Sequence, residues 1–438
     1  MKNSILENVI QTKNYLDSFL SKKFGPEYNS NIYLASYTNS VGNFFLKKIF
    51  KINNNNFLKN IFLDIMSGLK ISGKIIKSNS LEKKFSKIIF SWGFKKNFTN
   101  DGSFNDRYFD INSSDKKNFL WFIIYMDEKI PDKIADNILI FKVYGNICNN
   151  IFTWIKFIFL NIRYIFKGRD FFLHNISSSN FLSKKLINSS KKIFLKDFNE
   201  ILFPYEGQPF QNEIIKYFRK NKNKVKITGY IHSPPLAVPT NFIYKDSSPD
   251  RIFLCGSDQK FCFEKILGWP KNKIVEIPSL RFKENVSEIE NSIFLPNVIN
   301  DQEKILDSLT YINNNITKLH NFKIKNHPAS LTNKRNIKLI NKIINLFSIK
   351  DYQPNSFEKK LIFIGNSGAI IESLERGYDV IQICENISFE YYSKNIWKSI
   401  ESEILGKDIF TYKLKKKGNL ISFGKVNTNI DTILNYKT

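Results

Sequence analysis

Residues 199–235 read NEILFPYEGQPFQNEIIKYFRKNKNKVKITGYIHSPP, and this stretch indicates the fold of the chain. An apolar run leads directly into PYEG at 204–207, where proline and glycine favour a tight turn at the end of a strand. A helical segment follows, and a second apolar strand ends in GYIH at 229–232. Strands joined by a helix are parallel, and an open parallel sheet binds ligands at the carboxyl ends of its strands. Glu206 and His232 are therefore expected at one binding edge, although ordinary loop positions would suit both residues equally.

The composition is that of a globular protein of several domains with a strong positive charge. The chain has 438 residues, of which 42% are hydrophobic, enough for two or three domains. Its formal net charge of +26 is typical of proteins that bind nucleic acid or anionic membranes. The basic residues are spread along a sequence rich in Lys, Asn, Ile and Phe, so part of the charge reflects compositional bias. Since no zinc-finger, helix-turn-helix or RNA-binding motif occurs, nucleic acid is not an expected partner.

The cysteines and the N-terminal residues predict a cytoplasmic location. Residues 1–19 mix acidic and polar side chains with apolar ones, so no signal peptide is expected. No run of about twenty uncharged apolar residues occurs, so no membrane-spanning helix is predicted. The spacing of the cysteines fits neither a disulfide framework nor a metal knuckle, as is usual in a reducing compartment: Cys148, Cys255, Cys262 and Cys384.

Apolar runs in the first part of the chain predict a parallel sheet. Residues 87–93 and 119–125 are nearly continuous apolar runs, the pattern of strands that are buried on both faces. The polar loop at 97–112 follows a strand end, so it either contacts substrate or is an ordinary solvent-exposed loop. Residues 44–77 are rich in Phe, Ile and Lys at mixed spacing and are expected to form two helices.

The second part of the chain alternates more regularly between strand and helix. This alternation predicts an α/β protein with two doubly wound Rossmann-like domains, 1–285 and 286–438, joined through the charged segment 283–291. The expected strands of the second domain lie at 292–296, 321–326, 360–364 and 380–384.

Residues 146–168, NICNNIFTWIKFIFLNIRYIFKG, are the most hydrophobic segment and predict a helix at a membrane surface. Lys156, Arg163 and Lys167 follow one another at spacings of seven and four, which places them near one helical face. A core helix with snorkelling lysines is the alternative. The membrane interpretation adds an anionic membrane surface to the expected partners, with five residues as interfacial aromatics: Trp154, Phe157, Phe159, Tyr164 and Phe166.

Two motifs in the second domain have the character of a phosphate site. KNHP at 325–328 follows a strand, and its proline keeps the backbone extended so that His327 projects from the sheet edge. GNSGAIIE at 365–372 joins the next strand to a helix, whose free N–H groups and positive dipole end favour anions. Ser367 adds a hydroxyl donor, and Glu372 either contacts a ribose or complements the helix dipole. The spacing differs from that of a P-loop or a GxGxxG motif, which argues against an ATPase or a dehydrogenase.

Taken together, the His-Pro motif and the Gly-x-Ser-Gly-Ala loop resemble the donor half of GT-B glycosyltransferases, in particular bacterial enzymes that use CMP-activated sialic acid, Kdo or related ulosonic acids. The sequence YEG at 205–207 looks like a shortened form of the acidic motif that supplies the catalytic carboxylate in that group, with one acid where two are usual. Gly368 stands where a second hydroxyl is usual. The blocks PYEGQP, GYIHSP, LGWP and PSLRF also resemble a family of predicted bacterial surface-carbohydrate biosynthesis proteins, over roughly residues 201–384.

The resemblance implies a GT-B fold, with two Rossmann-like domains that face each other across a cleft. It implies transfer of a CMP-linked ulosonic acid to a surface glycan or glycolipid, as in lipopolysaccharide or capsule synthesis, with Glu206 accepting the proton of the acceptor hydroxyl. No cofactor and no metal are expected, since CMP-linked donors can leave without one and no Asp-x-Asp motif stands in the usual place. The implied donor-binding residues are Lys325, His327, Pro328, Gly365, Asn366, Ser367, Gly368 and Glu372. Candidate substrate-binding residues in the first domain are Gln208, His232, Arg281, Asp106 and Arg107.

Two other classes of function fit the same features. A GT-B enzyme that uses UDP- or GDP-sugars, or a polyol-phosphate transferase, shares the double α/β plan. A non-catalytic carbohydrate-assembly or membrane scaffold would keep a degenerate form of the fold. For all of them the expected location is the cytoplasm, or the inner face of the plasma membrane as a peripheral protein.

Overall fold

The computed structural model shows a mixed α/β protein built on two sheets that consist mainly of parallel strands. It describes residues 4–22, 46–52, 57–77, 85–145, 147–167, 172–173, 175–194, 197–222, 224–284, 289–296, 299–326, 334–348 and 360–436. The predicted α/β class with parallel sheets is confirmed, and it is compatible with a Rossmann-like fold. The predicted domain boundary between residues 285 and 286 lies outside the described residues and stays a prediction.

Amphipathic spacing explains why the helices pack on the sheets. In the helix at 209–221, proline occupies the first turn, where no N–H is needed, and Phe210, Ile214 and Phe218 form one buried side. The described helices are α1 (Ser4–Lys22), α2 (Phe57–Leu69), α3 (Ile147–Asn161), α4 (Ser178–Phe194), α5 (Pro209–Asn221), α6 (Ser257–Phe261), α7 (Gln302–Asn315), α8 (Lys334–Phe347), α9 (Gly368–Glu375), α10 (Ile387–Glu390) and α11 (Asp431–Leu434).

The first sheet has eight strands among the described residues, in the order β1-β6-β5-β2-β7-β8-β9-β10. All seven side chains of β5 are buried, as its continuous apolar run predicts, because helices cover both faces of a parallel sheet. These strands are β1 (Ile71–Lys77), β2 (Lys87–Gly93), β5 (Phe119–Tyr125), β6 (Ile138–Tyr144), β7 (Glu200–Pro204), β8 (Lys226–Tyr230), β9 (Arg251–Leu254) and β10 (Ile274–Glu276). A separate two-stranded ribbon joins β3 (Asn105–Asp106) to β4 (Ile111–Asn112).

Strand β1 corrects one expectation from the sequence. Residues 44–77 were expected to form two helices, but residues 71–77 form an edge strand that pairs antiparallel with β6. The other seven strands of this sheet are parallel. The mixed spacing of the segment does not reveal this strand, since its pairing with β6 crosses more than sixty residues of sequence.

The second sheet has six strands among the described residues, in the order β12-β11-β13-β14-β16-β15. The first four in that order are parallel, and the last two form an antiparallel hairpin that sequence alternation did not predict. They are β11 (Ser292–Phe294), β12 (Lys323–Lys325), β13 (Lys360–Ile364), β14 (Asp379–Ile383), β15 (Ile400–Gly406) and β16 (Ile409–Leu414).

Each sheet has one point where the direction of strand addition reverses. In the first sheet the chain runs from β2 outward through β5 and β6, then returns to the other side of β2 with β7. In the second sheet the reversal falls between β11 and β13. Open parallel sheets bind ligands in the crevice that opens at the carboxyl ends of such strands. The loops after β2, β7, β11 and β13 are therefore the expected places for a binding site.

The chain returns to the first sheet after it has completed the second. Beyond β16, the Ser422 N–H donates to the Cys255 carbonyl, and the Ser279 N–H donates to the Ser422 carbonyl at 2.8 Å. The returning segment buries Leu420, Ile421, Ile430 and Ile433 in the core that includes the first sheet. Residues 419–434 therefore pack with a sheet whose last strand ends at residue 276.

Helix α3 forms as predicted, and residues 162–167 continue it as a 3-10 helix. The prediction for its aromatic residues was partly wrong. Trp154, Phe157 and Tyr164 are buried, and only Phe159 and Phe166 are exposed. The reason is packing: the Trp154 and Phe157 rings both lie within 5 Å of the Phe181 ring on α4. The Lys167 side chain lies outside the described residues, and among those described no helix is long and apolar enough to span a membrane.

Candidate functional site

The turn after β7 is built around a glycine that no other residue could replace without strain. Gly207 has φ +66°, and a Cβ there would lie 2.2 Å from the Asn241 carbonyl oxygen. The Gln211 side chain closes the turn, because its Oε1 accepts from the N–H groups of Glu206 and Gln208 at 3.0 and 3.1 Å. The Asn241 amide donates to the Glu206 carbonyl at 2.9 Å. These contacts hold the Glu206 backbone in one orientation.

Glu206 and His232 form a pair, whereas their positions at the ends of successive strands had predicted only that they share one edge of the sheet. The His232 Nε2 lies 3.2 Å from the Glu206 Oε1, and the imidazole is 3% exposed while the carboxylate is 31% exposed. Burial lowers the pKa of His232, and the Glu206 carboxylate opposes that shift. A neutral imidazole beside a carboxylate donates through Nε2, an assignment that follows from the partners. The Glu206 carboxylate therefore accepts a hydrogen bond from His232 and stays partly exposed to solvent.

The other atoms of this pair are also positioned by the protein. The Gln208 amide donates to the Glu206 Oε2, so Gln208, a candidate for substrate binding, orients the carboxylate. The His232 Nδ1 is buried and has no hydrogen-bond partner among the described residues. The Tyr108 ring meets the imidazole edge-on, with centroids 4.4 Å apart. A buried Nδ1 without a partner costs free energy.

Asp106 organises the loop that brings Tyr108 to the imidazole. Its Oδ1 accepts from the N–H groups of Tyr108 at 2.8 Å and Phe109 at 2.6 Å, and the Ser91 hydroxyl donates to its Oδ2. Burial raises the pKa of Asp106 to about 6, although all three hydrogen bonds act in the opposite direction. The carboxylate is engaged by the protein, so the structure places Asp106 as a positioning residue instead of an exposed substrate ligand.

Two arginines flank Tyr108 and leave positive charge at the site. The Arg107 guanidinium donates to the Tyr108 hydroxyl at 2.8 Å, and the Arg281 guanidinium lies 6.0 Å from the Tyr108 ring centroid. Desolvation, followed by the charge of Arg107, lowers the pKa of Arg281. Neither guanidinium forms an ion pair with any residue that the structure describes. Asp106 acts electrostatically on Arg107 and Glu372 acts on Arg281, but neither carboxylate forms an ion pair with them, so both guanidiniums are suited to an anionic ligand.

The loop after β13 has the geometry expected of GNSGA. Gly365 has φ +71°, a conformation that favours glycine. The Ser367 hydroxyl oxygen caps α9 by accepting from the Ala369 N–H at 3.3 Å, so this side chain already has a structural task. Its hydroxyl hydrogen can still be donated, and residues 366–369 are partly exposed. The N-terminus of α9 is therefore accessible to an anion.

The loops of the two sheets meet. A Cβ on Gly368 would lie 3.1 Å from the Pro234 ring, which places the loop after β13 against the loop that carries His232. The Tyr392 hydroxyl lies 3.2 Å from both the Pro235 carbonyl oxygen and the Asn366 Oδ1. The Glu206–His232 pair and the α9 N-terminus thus belong to neighbouring loops, as a shared site requires.

The remaining predicted donor residues have different outcomes. Glu372 pairs with Arg376, the residue that follows α9, whose Nε and one terminal nitrogen lie 3.1 and 3.0 Å from the Glu372 Oε1, so this ion pair satisfies its charge. Lys325 lies at the end of β12 with its Nζ 5.3 Å from the Phe294 ring, and desolvation lowers its pKa. His327 and Pro328 lie outside the described residues, and their roles stay predictions.

Several site residues escaped the reasoning from sequence. Tyr108 contacts the Glu206–His232 pair, Gln211 closes the turn after β7, and Tyr392 joins the loops of the two sheets. Only Tyr108 had a local signal, since it follows Arg107 in the loop at 97–112, for which contact with substrate and contact with solvent alone were both left open. Within the described residues, no cluster of His, Cys, Asp and Glu could hold a metal ion.

No protein-family model matches the chain, and no curated protein matches it either.

Proposed function

We propose that the protein is a glycosyltransferase of the GT-B type that transfers a sugar from a nucleotide donor to a glycan or glycolipid acceptor. The donor that fits the site best is a CMP-activated ulosonic acid, such as a sialic acid or Kdo. In this proposal the first sheet carries the acceptor side and the second sheet carries the nucleotide. The sequence resemblance motivates the proposal, and the contacts between the loops support it.

One observation carries the proposal more than any other. The partly exposed Glu206 carboxylate, which His232 and Gln208 orient, lies at the strand reversal of the first sheet. The loop that carries His232 contacts the N-terminus of α9 at the strand reversal of the second sheet. A general base on one side and an anion-binding helix end on the other are the two groups that glycosyl transfer from a nucleotide requires.

The chemistry follows from these positions. Glu206 accepts the proton of the acceptor hydroxyl as that oxygen forms a bond to the anomeric carbon. The bond between the anomeric carbon and the phosphate oxygen breaks, and CMP leaves with the electron pair. The N–H groups at the start of α9 stabilise the negative charge of the departing phosphate. His232 donates to Glu206 and keeps the carboxylate aimed at the acceptor.

The paired arginines favour an acidic sugar. Arg107 and Arg281 lie near Tyr108 and His232, and no described carboxylate forms an ion pair with either guanidinium. An ulosonic acid carries a carboxylate next to its anomeric carbon, and a guanidinium binds a carboxylate through two parallel hydrogen bonds. This match distinguishes an ulosonic donor from neutral UDP- or GDP-sugars.

Nucleotide binding provides the first test. Thermal unfolding of the protein should shift upward with CMP or CDP and less with UDP or GDP, and His327→Ala should abolish the shift if the His-Pro motif holds the phosphate. Stabilisation by UDP or GDP alone would contradict the CMP-ulosonic donor. Stabilisation by none of the four nucleotides would favour a non-catalytic scaffold.

Catalysis provides the second test. Glu206→Gln keeps the size of the side chain but removes the base, so transfer or donor hydrolysis should fall by a factor of about 100 to 10,000. The nucleotide-induced thermal shift should remain. Glu401→Gln is the matched control, because Glu401 is exposed and pairs only with Lys415 among the described residues. Full turnover by Glu206→Gln would remove Glu206 from the role of base.

A further inference from the structure

A ridge of apolar side chains stands out from α3 and its 3-10 extension. Phe152 is 81% exposed, Phe159 is 72% exposed and Phe166 is 92% exposed, and smaller apolar side chains fill the spaces between them. We define the apolar ridge as Ile151, Phe152, Ile155, Phe159, Leu160, Ile162, Ile165 and Phe166.

The size of the ridge sets it apart from ordinary surface. Nineteen large hydrophobic side chains are exposed among the described residues, and eight of them belong to this one segment. At about 200 Å² for a fully exposed side chain of this size, the ridge presents on the order of 1,000 Å² to solvent. The largest apolar patch of a typical monomer covers roughly 300–600 Å². Isolated surface hydrophobics do not account for such an area.

The opposite side of the segment determines the direction in which the ridge points. Trp154, Phe157 and Asn161 are buried, and the Trp154 ring packs so closely on Gly68 of α2 that a Cβ there would lie 2.6 Å away. Side chains at 152, 155 and 159 fall on the other side of a helix with 3.6 residues per turn. The helix therefore cannot turn its ridge inward without losing this packing.

A basic flank lies beside the ridge. Lys156, Arg163, Lys184 and Lys185 line one cavity of about 510 Å³ between α3 and α4. The Arg163 guanidinium stacks over the Tyr164 ring at 5.2 Å, and the Lys184 Nζ lies 5.2 Å from the Phe157 ring centroid. Aromatic surfaces thus support the cations at the base of the ridge.

Acidic residues are nearly absent from this part of the chain. Residues 57–69, 147–167 and 178–194 contain eight lysines and arginines but a single acid, Asp64. That acid is buried, where it accepts from the Ser178 N–H at 2.9 Å and the Ser178 hydroxyl at 2.7 Å. No exposed acid offsets the positive charge within these three ranges, and Glu213 on α5 is an acid outside them that acts electrostatically on Lys184.

We propose that the apolar ridge and the basic flank dock on an anionic lipid bilayer, with α3 lying in the plane of the interface. The ridge enters the boundary between headgroups and acyl chains, and the flank binds lipid phosphates. The side chain of Lys156, next to the ridge, carries its charge to the headgroups while its methylene chain stays with the apolar residues. The surface is formed by residues outside the candidate site, so this inference does not depend on glycosyl transfer.

Charge decides between a bilayer and a second copy of the chain. A two-fold dimer through the ridge would add a second basic flank to the same interface and would supply no opposite charge to either flank. A bilayer that contains anionic lipids offers an apolar interior to the ridge and negative charge to the basic flank.

Vesicle binding tests the proposal with the full chain. Co-sedimentation with phosphatidylglycerol vesicles should exceed that with phosphatidylcholine vesicles and should weaken as salt increases. Lys156→Glu/Arg163→Glu should reduce binding at least about tenfold. Lys413→Glu/Lys416→Glu is the matched control, because it makes the same change in net charge at exposed lysines of the second sheet and should bind normally.

The ridge is tested separately by Phe152→Ser/Phe159→Ser/Phe166→Ser. These side chains are exposed, so the variant should unfold at the temperature of the parent protein but lose vesicle binding. Two results would overturn the proposal. One is equal binding by both charge-reversal variants. The other is a dimer in solution that the triple variant dissolves, together with no binding to phosphatidylglycerol.

Discussion

Gly207→Ala should destabilise the protein through two separable effects at the turn that presents Glu206. The first effect is backbone strain, because φ is +66° and an L-residue in this conformation costs about 1–2 kcal/mol. The second is overlap, because the new Cβ would lie 2.2 Å from the Asn241 carbonyl oxygen, closer than real Cβ atoms approach. Forcing extra atoms into such a packed position costs roughly 1–3 kcal/mol. The expected loss in the free energy of unfolding is therefore about 2–5 kcal/mol.

Gly418→Ala isolates the strain from the overlap. Gly418 has φ +82°, and a Cβ there would meet no atom within 4 Å. Its substitution should cost only the strain, about 1–2 kcal/mol. Urea unfolding followed by tryptophan fluorescence measures both variants, and the difference between them is the cost of the overlap.

A second readout connects this turn to the candidate site. If the backbone shifts to relieve the overlap, the hydrogen bond from Asn241 to the Glu206 carbonyl lengthens and the carboxylate moves away from His232. Transfer activity should then fall in Gly207→Ala and persist in Gly418→Ala. Equal destabilisation of the two variants, with activity kept in both, would refute the reasoning.

Three further predictions concern buried or unpaired charge. Asp106→Asn should flatten the pH dependence of urea unfolding between about pH 4 and pH 6. The folded-state pKa of Asp106 is about 6, so its protonation stabilises the fold at low pH, and this stability is lost as the pH rises through 6. An unchanged dependence of the unfolding free energy on pH would count against this prediction. Arg107→Ala/Arg281→Ala should raise the donor KM at least about tenfold with a smaller change in kcat, whereas a lower unfolding midpoint with unchanged KM would indicate a structural role. Asp258→Ala should lower the free energy of unfolding by about 1–3 kcal/mol, since its buried carboxylate accepts from the Ser399 N–H and hydroxyl, and unaltered urea unfolding would contradict that.

Much of the first sheet could be predicted because its strands have a local signature. The run FLWFIIY in β5 is apolar at every position, and every position is buried. The placement of Glu206 and His232 at one edge followed from a geometric rule, since neighbouring parallel strands end at the same edge, but their direct contact was not predicted. Strand β1 has no such signature, because its partner β6 lies far away in sequence and tertiary pairing decides its conformation.

The chemistry of the site was less predictable than its location. Asp106 looked like a substrate ligand, but the surrounding N–H groups and Ser91 occupy its oxygens. Ser367 looked like a phosphate donor, and it also caps α9. Whether a polar side chain faces a ligand or its own backbone depends on loop conformation, which residue spacing does not encode.

The segment that returns to the first sheet has a consequence for biosynthesis. Leu420, Ile421, Ile430 and Ile433 complete a core that includes the first sheet, yet a ribosome translates them after all six described strands of the second. Until they emerge, the groove they fill stays open, and the Gly256 backbone lacks the close contact with Asn419 that leaves no room for a side chain. The core around the first sheet can therefore be completed only after the second sheet has been synthesised. Its final consolidation during synthesis is a late event, unlike the usual order in which the N-terminal domain folds first.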